Sequence, residues 1–183
     1  MTVAQADAQA DLSAEFLEMP DGLRIDRPEV ADGAALWRIA KDSRTLDLNS
    51  SYSYLLWCRD FAGTSAVARD TEGRPVGFVT AYVRPERPRT LLVWQVAVDA
   101  SHRGRGLAAR LLDGLTARVA SERGLTSVET TITPGNTASE RLFTSYARRH
   151  GAAVEREVLF ETGQFPDGPH DPEVLYRIGP FAA

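Results

Sequence analysis

The feature that most constrains the fold is a glycine-rich segment that joins an apolar run to a helical pattern. Residues 91–98 are almost entirely apolar, and Gly104 and Gly106 follow just before Leu107 opens a pattern of leucines at four-residue spacing. Glycine has no Cβ, so the backbone can approach a ligand closely. The first N–H groups of a helix are free and lie at the positive end of its dipole. The segment therefore predicts a strand, a loop and a helix that bind a phosphate-bearing ligand.

The composition indicates one folded domain without nucleic-acid or membrane partners. The net charge of −4 argues against nonspecific binding to nucleic acid, and the single cysteine, Cys58, excludes an internal disulfide and fits a reducing compartment. No apolar run approaches the roughly 20 residues that span a bilayer. Residues 1–12 hold none of the basic residues that begin a secretory signal. We therefore expect a cytoplasmic protein with a flexible tail over residues 1–20 and one domain over residues 21–183.

Hydrophobic periodicity predicts a mixed α/β sheet with helices packed on it. Strands are predicted at 23–26, 65–69, 75–83, 91–98, 126–133, 153–161 and 174–178, and helices from Pro28, over 53–61, from Leu107 and over 136–149. Prolines at 85 and 88 are expected to flank a charged connection between strands, and residues 164–172 a polar loop. The order places a mainly antiparallel half before a strand–helix–strand–helix half.

Two known patterns match the glycine-rich segment. Gly104-x-Gly106-x-x-Ala109 fits a loose dinucleotide-binding fingerprint, but that fingerprint normally opens a domain, and about ninety residues precede it here. The other match is better. Arg103-x-x-Gly106-x-Ala108, together with an asparagine at 136 after the next strand, resembles the acetyl-coenzyme A loop of GCN5-related N-acetyltransferases (GNAT). That resemblance implies a central, mostly antiparallel twisted sheet of about seven strands flanked by about four helices.

Four separated segments narrow the resemblance within that family. Residues 47–58, 93–98, 131–139 and 170–178 are similar to matching segments of the L-2,4-diaminobutyrate acetyltransferases of ectoine biosynthesis. The resemblance implies an acyltransferase that moves the acetyl group of acetyl-CoA to the γ-amine of L-2,4-diaminobutyrate. The product would be a precursor of ectoine, a compatible solute that protects cells from osmotic stress. It also implies a homodimer. No Cys/His cluster has the spacing of a zinc site, so we expect no metal.

The resemblance further implies which residues form the site. The expected cofactor-binding residues are Val96, Val98, Arg103, Gly104, Arg105, Gly106, Leu107, Ala108, Asn136 and Ser139. The expected substrate-binding residues are Asp47, Asn49, Ser50, Tyr52, Trp94, His170 and Glu173. The expected catalytic residues are Glu173, Asp47, Val96 and Tyr146, with Val96 acting through its backbone N–H on the oxyanion.

The chemistry of the substrate explains the acidic candidates. An ammonium group is bound by carboxylates, which Asp47 and Glu173 supply, whereas Asp171 is expected to be a solvated loop acid. Either carboxylate could act through water as the base that deprotonates the γ-amine. His170 could bind the substrate carboxylate or relay a proton. Alternation along a strand places Trp94 on one face with Val96 and Val98, where the indole would form a wall for the substrate.

The chain departs from the family at the general acid. Phe143 stands where many members carry a tyrosine, so Tyr146, Tyr52 or Tyr54 could substitute, or the thiolate could leave unassisted. Cys58 lies on the apolar face of a predicted helix and is expected to be structural, so we expect direct transfer in a ternary complex. Two alternatives stay open: acetylation of another small amine or amino acid, and a CoA-binding sensor without turnover.

Overall fold

The computed structural model describes residues 17–18, 22–166, 168 and 170–181, and in this part of the chain eight strands form one sheet. The strands are β1 (Leu17–Glu18), β2 (Arg24–Asp26), β3 (Ala66–Arg69), β4 (Pro75–Arg84), β5 (Arg87–Val98), β6 (Ser127–Ile132), β7 (Val154–Phe160) and β8 (Glu173–Ile178). Most of the predicted tail lies outside the described residues, although Leu17–Glu18 pairs with β2.

The sheet is antiparallel except at one place. The strand order is β1-β2-β3-β4-β5-β6-β8-β7, and only β5 and β6 run parallel. The expected mixed, mostly antiparallel sheet is confirmed. Seven of the described strands have three or more residues, and β1 adds a short eighth strand at one edge.

Within the described residues, four α-helices cover the two faces of the sheet. They are α1 (Gly33–Ser43), α2 (Ser51–Asp60), α3 (Leu107–Arg123) and α4 (Thr137–Arg149). Apolar residues of α1 and α2 pack with Val67, Phe78 and Ala97 in one core cluster, whereas α3 and α4 contribute to a second, larger cluster. The two helix pairs therefore lie on opposite faces. Among the described residues, none of the helices is long and apolar enough to cross a membrane.

Two predicted boundaries were wrong. The first helix does not start at Pro28, because a 3-10 turn over Val30–Asp32 precedes α1 and places the Asp32 carboxylate in a buried pair with Arg69 at 2.7 Å. The connection around Pro85 is a tight hairpin, and β5 already begins at Arg87. Pro88 is tolerated because it lies at the exposed end of this strand, where a ladder hydrogen bond is dispensable.

A bulge interrupts β5 at Trp94. Thr80 of β4 pairs with Gln95, whereas Ala81 pairs with Val93, so Trp94 is an extra residue without a partner in this ladder. A bulge places two consecutive side chains where a regular strand would place one, and it bends the strand. Residues on either side of Trp94 therefore do not follow one simple alternation.

Candidate active site

A cleft opens where β5 separates from β6. The parallel pairing of these strands runs from Thr90↔Ser127 to Val93↔Thr130, and after the bulge residues 95–98 pair with β4. The open space has a volume of about 480 Å³. Its lining is Thr45, Leu46, Val96, Ala97, Val98, Ala108, Asn136, Ala138, Ser139 and Leu142. Five predicted cofactor residues, at positions 96, 98, 108, 136 and 139, are thus brought together.

The glycine-rich loop forms an open cradle at the N-terminus of α3. Gly104 and Gly106 have positive φ angles of 76° and 71°, which residues with a side chain rarely adopt. Gly106 is the N-cap of the helix and offers no side chain to its first N–H groups, so these face outward for a ligand. In the described part of the chain, the space that a Cβ on Gly106 would fill holds no other heavy atom within 4 Å.

Charged side chains hold the cradle in place. Arg103 Nε donates to the carbonyl oxygen of Val98 at 2.9 Å, and Arg38 from α1 donates to the Asp99 carboxylate at 2.9 Å. Although burial opposes it, hydrogen bonds from Ser101 and Arg38 lower the pKa of Asp99 to about 2. The loop is thus held at its strand side, while Arg105 is exposed beside the glycines and adds positive charge. This arrangement fits a diphosphate.

Asn136 has a structural role as well as a place in the cleft. Its Oδ1 accepts a hydrogen bond from the backbone N–H of Ser139 at 3.1 Å and so caps α4. The helix predicted over residues 136–149 therefore begins with this cap. It places the N-terminus of α4 opposite the N-terminus of α3, with the cleft between them.

Three predicted substrate residues form a cluster that we call the charge trio: Asp47, His170 and Glu173. They come from the α1–α2 loop, the loop before β8 and the first residue of β8. His170 Nε2 lies 3.7 Å from Asp47 Oδ2 and 4.0 Å from Glu173 Oε1. Two carboxylates and an imidazole facing one another create a site for a positive charge or a mobile proton.

The histidine of the trio is held in one orientation. Its Nδ1 lies 2.5 Å from the carbonyl oxygen of Asp171, and because a carbonyl only accepts, Nδ1 carries the proton of that hydrogen bond. Phe165 stacks on the imidazole at 3.9 Å between ring centroids. The bond to Asp171, and then the charges of Asp47 and Glu173, raise the pKa of His170 above the 6.5 of a free imidazole. A third carboxylate beside Nε2 would be repelled, so the geometry disfavours the predicted alternative in which His170 binds the substrate carboxylate.

Trp94 lies on the opposite side of β5 from the one predicted. Its ring centroid is 4.9 Å from that of Trp57 on α2, whereas Val96 and Val98 pack against the cluster that contains α3. The bulge is the reason, because it cancels one step of the strand alternation. Trp57 also contacts Phe61 and Tyr82, so these three rings and Trp94 form an aromatic wall. The Trp94 residue in this wall is 39% exposed. The sequence pattern gave no sign of the other three rings, Trp57, Phe61 and Tyr82.

The other predicted substrate residues lie beside the trio without joining it. Ser50 caps α2, since its Oγ accepts from the N–H of Ser53. Asn49 Nδ2 lies 3.4 Å from the Asp47 carbonyl oxygen. Tyr52 is exposed in the first turn of α2. The structure thus gives Ser50 a role in the helix itself.

The structure contradicts Tyr146 as a catalytic acid. Its ring is fully buried between α3 and α4 and contacts His150 and Phe181, and burial raises the pKa of Tyr146 to about 12. The side chain turns to the core because Phe143 and Tyr146 share the apolar face of α4. Tyr54 is also buried, and burial raises its pKa. Of the tyrosines proposed as substitutes, Tyr52 alone is exposed.

Cys58 is a buried thiol, as predicted. It lies on α2 within the smaller core cluster, and burial raises its pKa to about 12. A protonated, inaccessible thiol is a poor nucleophile.

The ligand atoms of the charge trio would also suit a metal ion by distance. One atom from each residue lies within 4.8 Å of the others. An ammonium ion and a divalent cation both bind to such carboxylates, so the geometry alone does not separate them. The absence of a metal stays a prediction.

Comparison with known proteins identifies relatives over nearly the whole chain. The profile of the acetyltransferase (GNAT) family matches residues 34–147. The L-2,4-diaminobutyric acid acetyltransferase of Streptomyces avermitilis is 82% identical over 96% of this chain and 98% of its own length. The enzyme of the same name from Streptomyces coelicolor is 69% identical over 100% of this chain and 99% of its own. A solved structure of diaminobutyrate acetyltransferase EctA from Paenibacillus lautus, in complex with its substrate L-2,4-diaminobutyric acid and coenzyme A, matches with a TM-score of 0.82 and 42% identity over 88% of this chain and 96% of that one.

The glycine cradle generates a binding prediction. Replacing Gly106 with alanine should raise the Kd for coenzyme A, used as the probe, about tenfold in calorimetry. The added Cβ fills the cradle and also strains a φ angle of 71°. The matched control is Gly124→Ala at the other end of α3, where φ is 65° and the Cβ is equally unobstructed. Both variants should lose similar thermal stability, and a Kd that rises equally in both would contradict a ligand role for Gly106.

The environment of His170 generates a titration prediction. In an NMR titration of the three histidines, the His170 imidazole should have a pKa above 6.5, and Glu173→Gln should lower it because one negative charge beside Nε2 is removed. The imidazolium is thus kept to higher pH in the unaltered protein. Asp171→Asn, which leaves the backbone carbonyl in place, is the control. A His170 pKa that does not respond to Glu173→Gln would refute the trio as an electrostatic unit.

Proposed function

Because this chain belongs to the acetyltransferase (GNAT) family, we propose that it transfers the acetyl group of acetyl-CoA to the γ-amine of L-2,4-diaminobutyrate. The product is N-γ-acetyl-L-2,4-diaminobutyrate, a precursor in ectoine biosynthesis. The observation that carries the proposal is the charge trio, whose Asp47 directly follows Leu46, a residue that lines the cleft. The protein from Paenibacillus lautus, which has the same fold, binds this amino acid together with coenzyme A.

The trio suits a substrate that carries two ammonium groups. Asp47 and Glu173 present negative charge to a shared space, and an ammonium held between them gains charge-assisted hydrogen bonds. The exposed part of the Trp94 indole provides an apolar surface for the carbon chain of the substrate. The half-buried Glu173 and the exposed Asp47 lie on two different elements of the fold, and the ammonium would lie between them. We expect this position to limit how long an amine substrate can be if its reacting nitrogen is to reach the thioester.

The cofactor would lie along the cleft with its diphosphate on the glycine cradle. The N–H groups at the start of α3, together with Arg103 and Arg105, neutralise the phosphate charge. Val96 and Val98 line the cleft on β5, and the backbone N–H of Val96 is the proposed donor to the thioester carbonyl oxygen as negative charge develops there. Asn136 and Ser139 close the opposite side at α4.

Transfer requires the γ-ammonium to lose a proton first. At neutral pH about one part in a thousand of an alkyl amine is free, so a base raises the reactive fraction. Glu173 or Asp47 accepts the proton through water, and the raised pKa of His170 suits it to relay that proton. The amine nitrogen then bonds to the acetyl carbon, the carbon–sulfur bond breaks, and the thiolate of coenzyme A leaves. The proton that the nitrogen releases as it becomes an amide protonates that thiolate.

The thiolate leaves without a tyrosine acid from α4. Phe143 has no proton to give and Tyr146 is buried in the core. A thiol ionises with a pKa of about 8.5, far below that of an amine, so its departure as an anion is easier. Direct transfer in a ternary complex follows from the protonated state of Cys58, which leaves no activated thiol on this helix to hold an acetyl group.

The proposed reaction is tested by acceptor specificity. Thiol release from acetyl-CoA should be fast with L-2,4-diaminobutyrate, at least about tenfold slower with ornithine, lysine or spermidine, and insensitive to a chelator. Asp47→Asn and Glu173→Gln should each lower kcat/KM for diaminobutyrate about a hundredfold, because a charged hydrogen-bond partner of the ammonium is lost.

The control for these variants is Asp171→Asn, which removes an exposed acid beside the trio and should change kcat/KM less than twofold. Turnover on a different amine would keep the family and discard this substrate. Binding of acetyl-CoA without turnover on any of the four acceptors would favour the sensor, whereas loss of activity with the chelator would point to a metal in the trio.

We further propose that the protein is a homodimer that associates through β7. This strand is at the edge of the sheet, is exposed along almost its whole length, and presents Val158, Leu159 and Phe160 to solvent. An exposed apolar edge strand is a template for pairing with a second chain. We also propose residues 21–183 as the acetyltransferase domain and a cytoplasmic location, where acetyl-CoA is available and the Cys58 thiol stays reduced.

The dimer is tested by sedimentation equilibrium at micromolar concentration. The unaltered chain should sediment at twice the chain mass of 20.0 kDa, and Val158→Lys should sediment as a monomer because a charge enters the apolar edge. The matched control is Val30→Lys, since Val30 is exposed to the same extent, 49%, away from β7. A dimer that survives Val158→Lys would place the interface elsewhere.

A further inference from the structure

Gln95 is a polar side chain buried within the apolar run of β5. It is 5% exposed, and its neighbours in the strand are aliphatic or aromatic. Its Nε2 donates to the carbonyl oxygen of Asp47 at 2.9 Å, and its Oε1 accepts from the hydroxyl of Tyr54 at 3.0 Å. The amide thus bridges the central strand, the α1–α2 loop and α2.

The orientation of this amide is determined by its partners. The Asp47 carbonyl can only accept, so it must face Nε2, and Oε1 is left for the Tyr54 hydroxyl. Burial raises the pKa of Tyr54, so its hydroxyl remains a donor. The Tyr54 ring is held in the core by an edge contact with Phe78 at 6.2 Å between centroids. Gln95 therefore has one arrangement that satisfies both partners.

The hydrogen bond from Gln95 holds the backbone of Asp47, whose side chain is largely exposed. The Asp47 carboxylate is 90% exposed, and its contact with the trio is the one to His170 at 3.7 Å. An exposed side chain takes its position from its backbone. The hydrogen bond from Gln95 ties that backbone to the strand whose next residue, Val96, lines the cleft.

We propose that Gln95 is a positioning residue for the substrate site, and that Tyr54 keeps its amide in the required orientation. The inference rests on the proposed role of Asp47 in binding the substrate. Gln95 sets the distance between the Asp47 carboxylate and the thioester, because one end of its side chain holds the loop and its backbone continues into the cleft. The bulge makes this possible by turning Gln95 towards α2, the side on which the loop lies.

The test is Gln95→Met, which keeps the length of the side chain and removes both hydrogen bonds. KM for diaminobutyrate should rise about tenfold, as expected for loss of the buried hydrogen bond that holds the Asp47 carbonyl, while KM for acetyl-CoA changes less than twofold. Tyr54→Phe keeps the ring and the bond to Asp47 but frees the amide to turn, so KM for diaminobutyrate should rise about threefold.

The control is Thr90→Val, which removes a buried side-chain hydroxyl elsewhere on β5, the one that pairs with Ser127 at 2.9 Å. It should lower the Tm by a similar amount without changing either KM. A purely structural role for Gln95 would lower the Tm in the same way and leave the KM for diaminobutyrate unchanged. If Gln95→Met does not fold, Tyr54→Phe decides the question through the same comparison of the two KM values.

A double variant separates this inference from the proposed role of Asp47. If Gln95 acts through Asp47, adding Gln95→Met to Asp47→Asn should raise KM for diaminobutyrate by less than twofold further. An undiminished tenfold effect in the Asp47→Asn background overturns the inference. If Asp47→Asn itself leaves KM unchanged, the proposed substrate role of Asp47 is wrong and the inference fails with it. If Asp47→Asn raises KM but Gln95→Met and Tyr54→Phe do not, only the inference is overturned.

Discussion

The arrangement of the whole site depends on one extra residue in the central strand. The bulge at Trp94 ends the regular pairing pattern of β5, and beyond it this strand no longer runs beside β6. A cleft can open only where two neighbouring strands diverge, since paired strands lie about 4.8 Å apart and leave no space for a ligand. The same extra residue turns Trp94 and Gln95 towards α2 and leaves Val96 facing the cofactor side. One local irregularity thus opens the cleft and directs two side chains towards α2 and the α1–α2 loop.

The proposed substrate end of the site depends on charged groups that are not fully paired with one another. Asp47 comes from the α1–α2 loop, whereas His170 and Glu173 lie just before β8 and at its first residue. The distances from His170 to the two carboxylates, 3.7 and 4.0 Å, are longer than hydrogen bonds. The buried Arg69–Asp32 pair at 2.7 Å shows how a completed ion pair looks in this molecule. The trio is therefore an incomplete electrostatic arrangement, which the ammonium of the proposed substrate would complete. Phe165, which is not part of the trio, holds the His170 imidazole by stacking on it.

The sequence predicted the cofactor side in more detail than the substrate side. Gly104, Gly106 and Asn136 act through the backbone and through a helix cap, and such local roles leave a pattern over a few consecutive residues. The face of Trp94 was predicted wrongly, because a bulge depends on the pairing of two strands and leaves no mark in the alternation of one. Tyr146 was misjudged for a related reason: its spacing from Asn136 is visible in the sequence, but the side of α4 that is buried depends on where α3 packs. Gln95 could have been noticed as the one polar residue inside an apolar run, although its partners could not.

By itself, the sequence determined the elements, the mixed sheet and the anion-binding loop, because periodicity, glycine and helix caps act between residues that are close in the chain. Resemblance to a known family then indicated which acids and which histidine to examine. Only the tertiary structure decided that Asp47, His170 and Glu173 meet, that Tyr146 is buried in the core, and that Gln95 ties the substrate loop to the central strand. Those outcomes depend on contacts between residues far apart in the chain, from Tyr146 with Phe181 to Asp47 with His170, whose distances are determined by the packing of the sheet and helices and by the register of the strands.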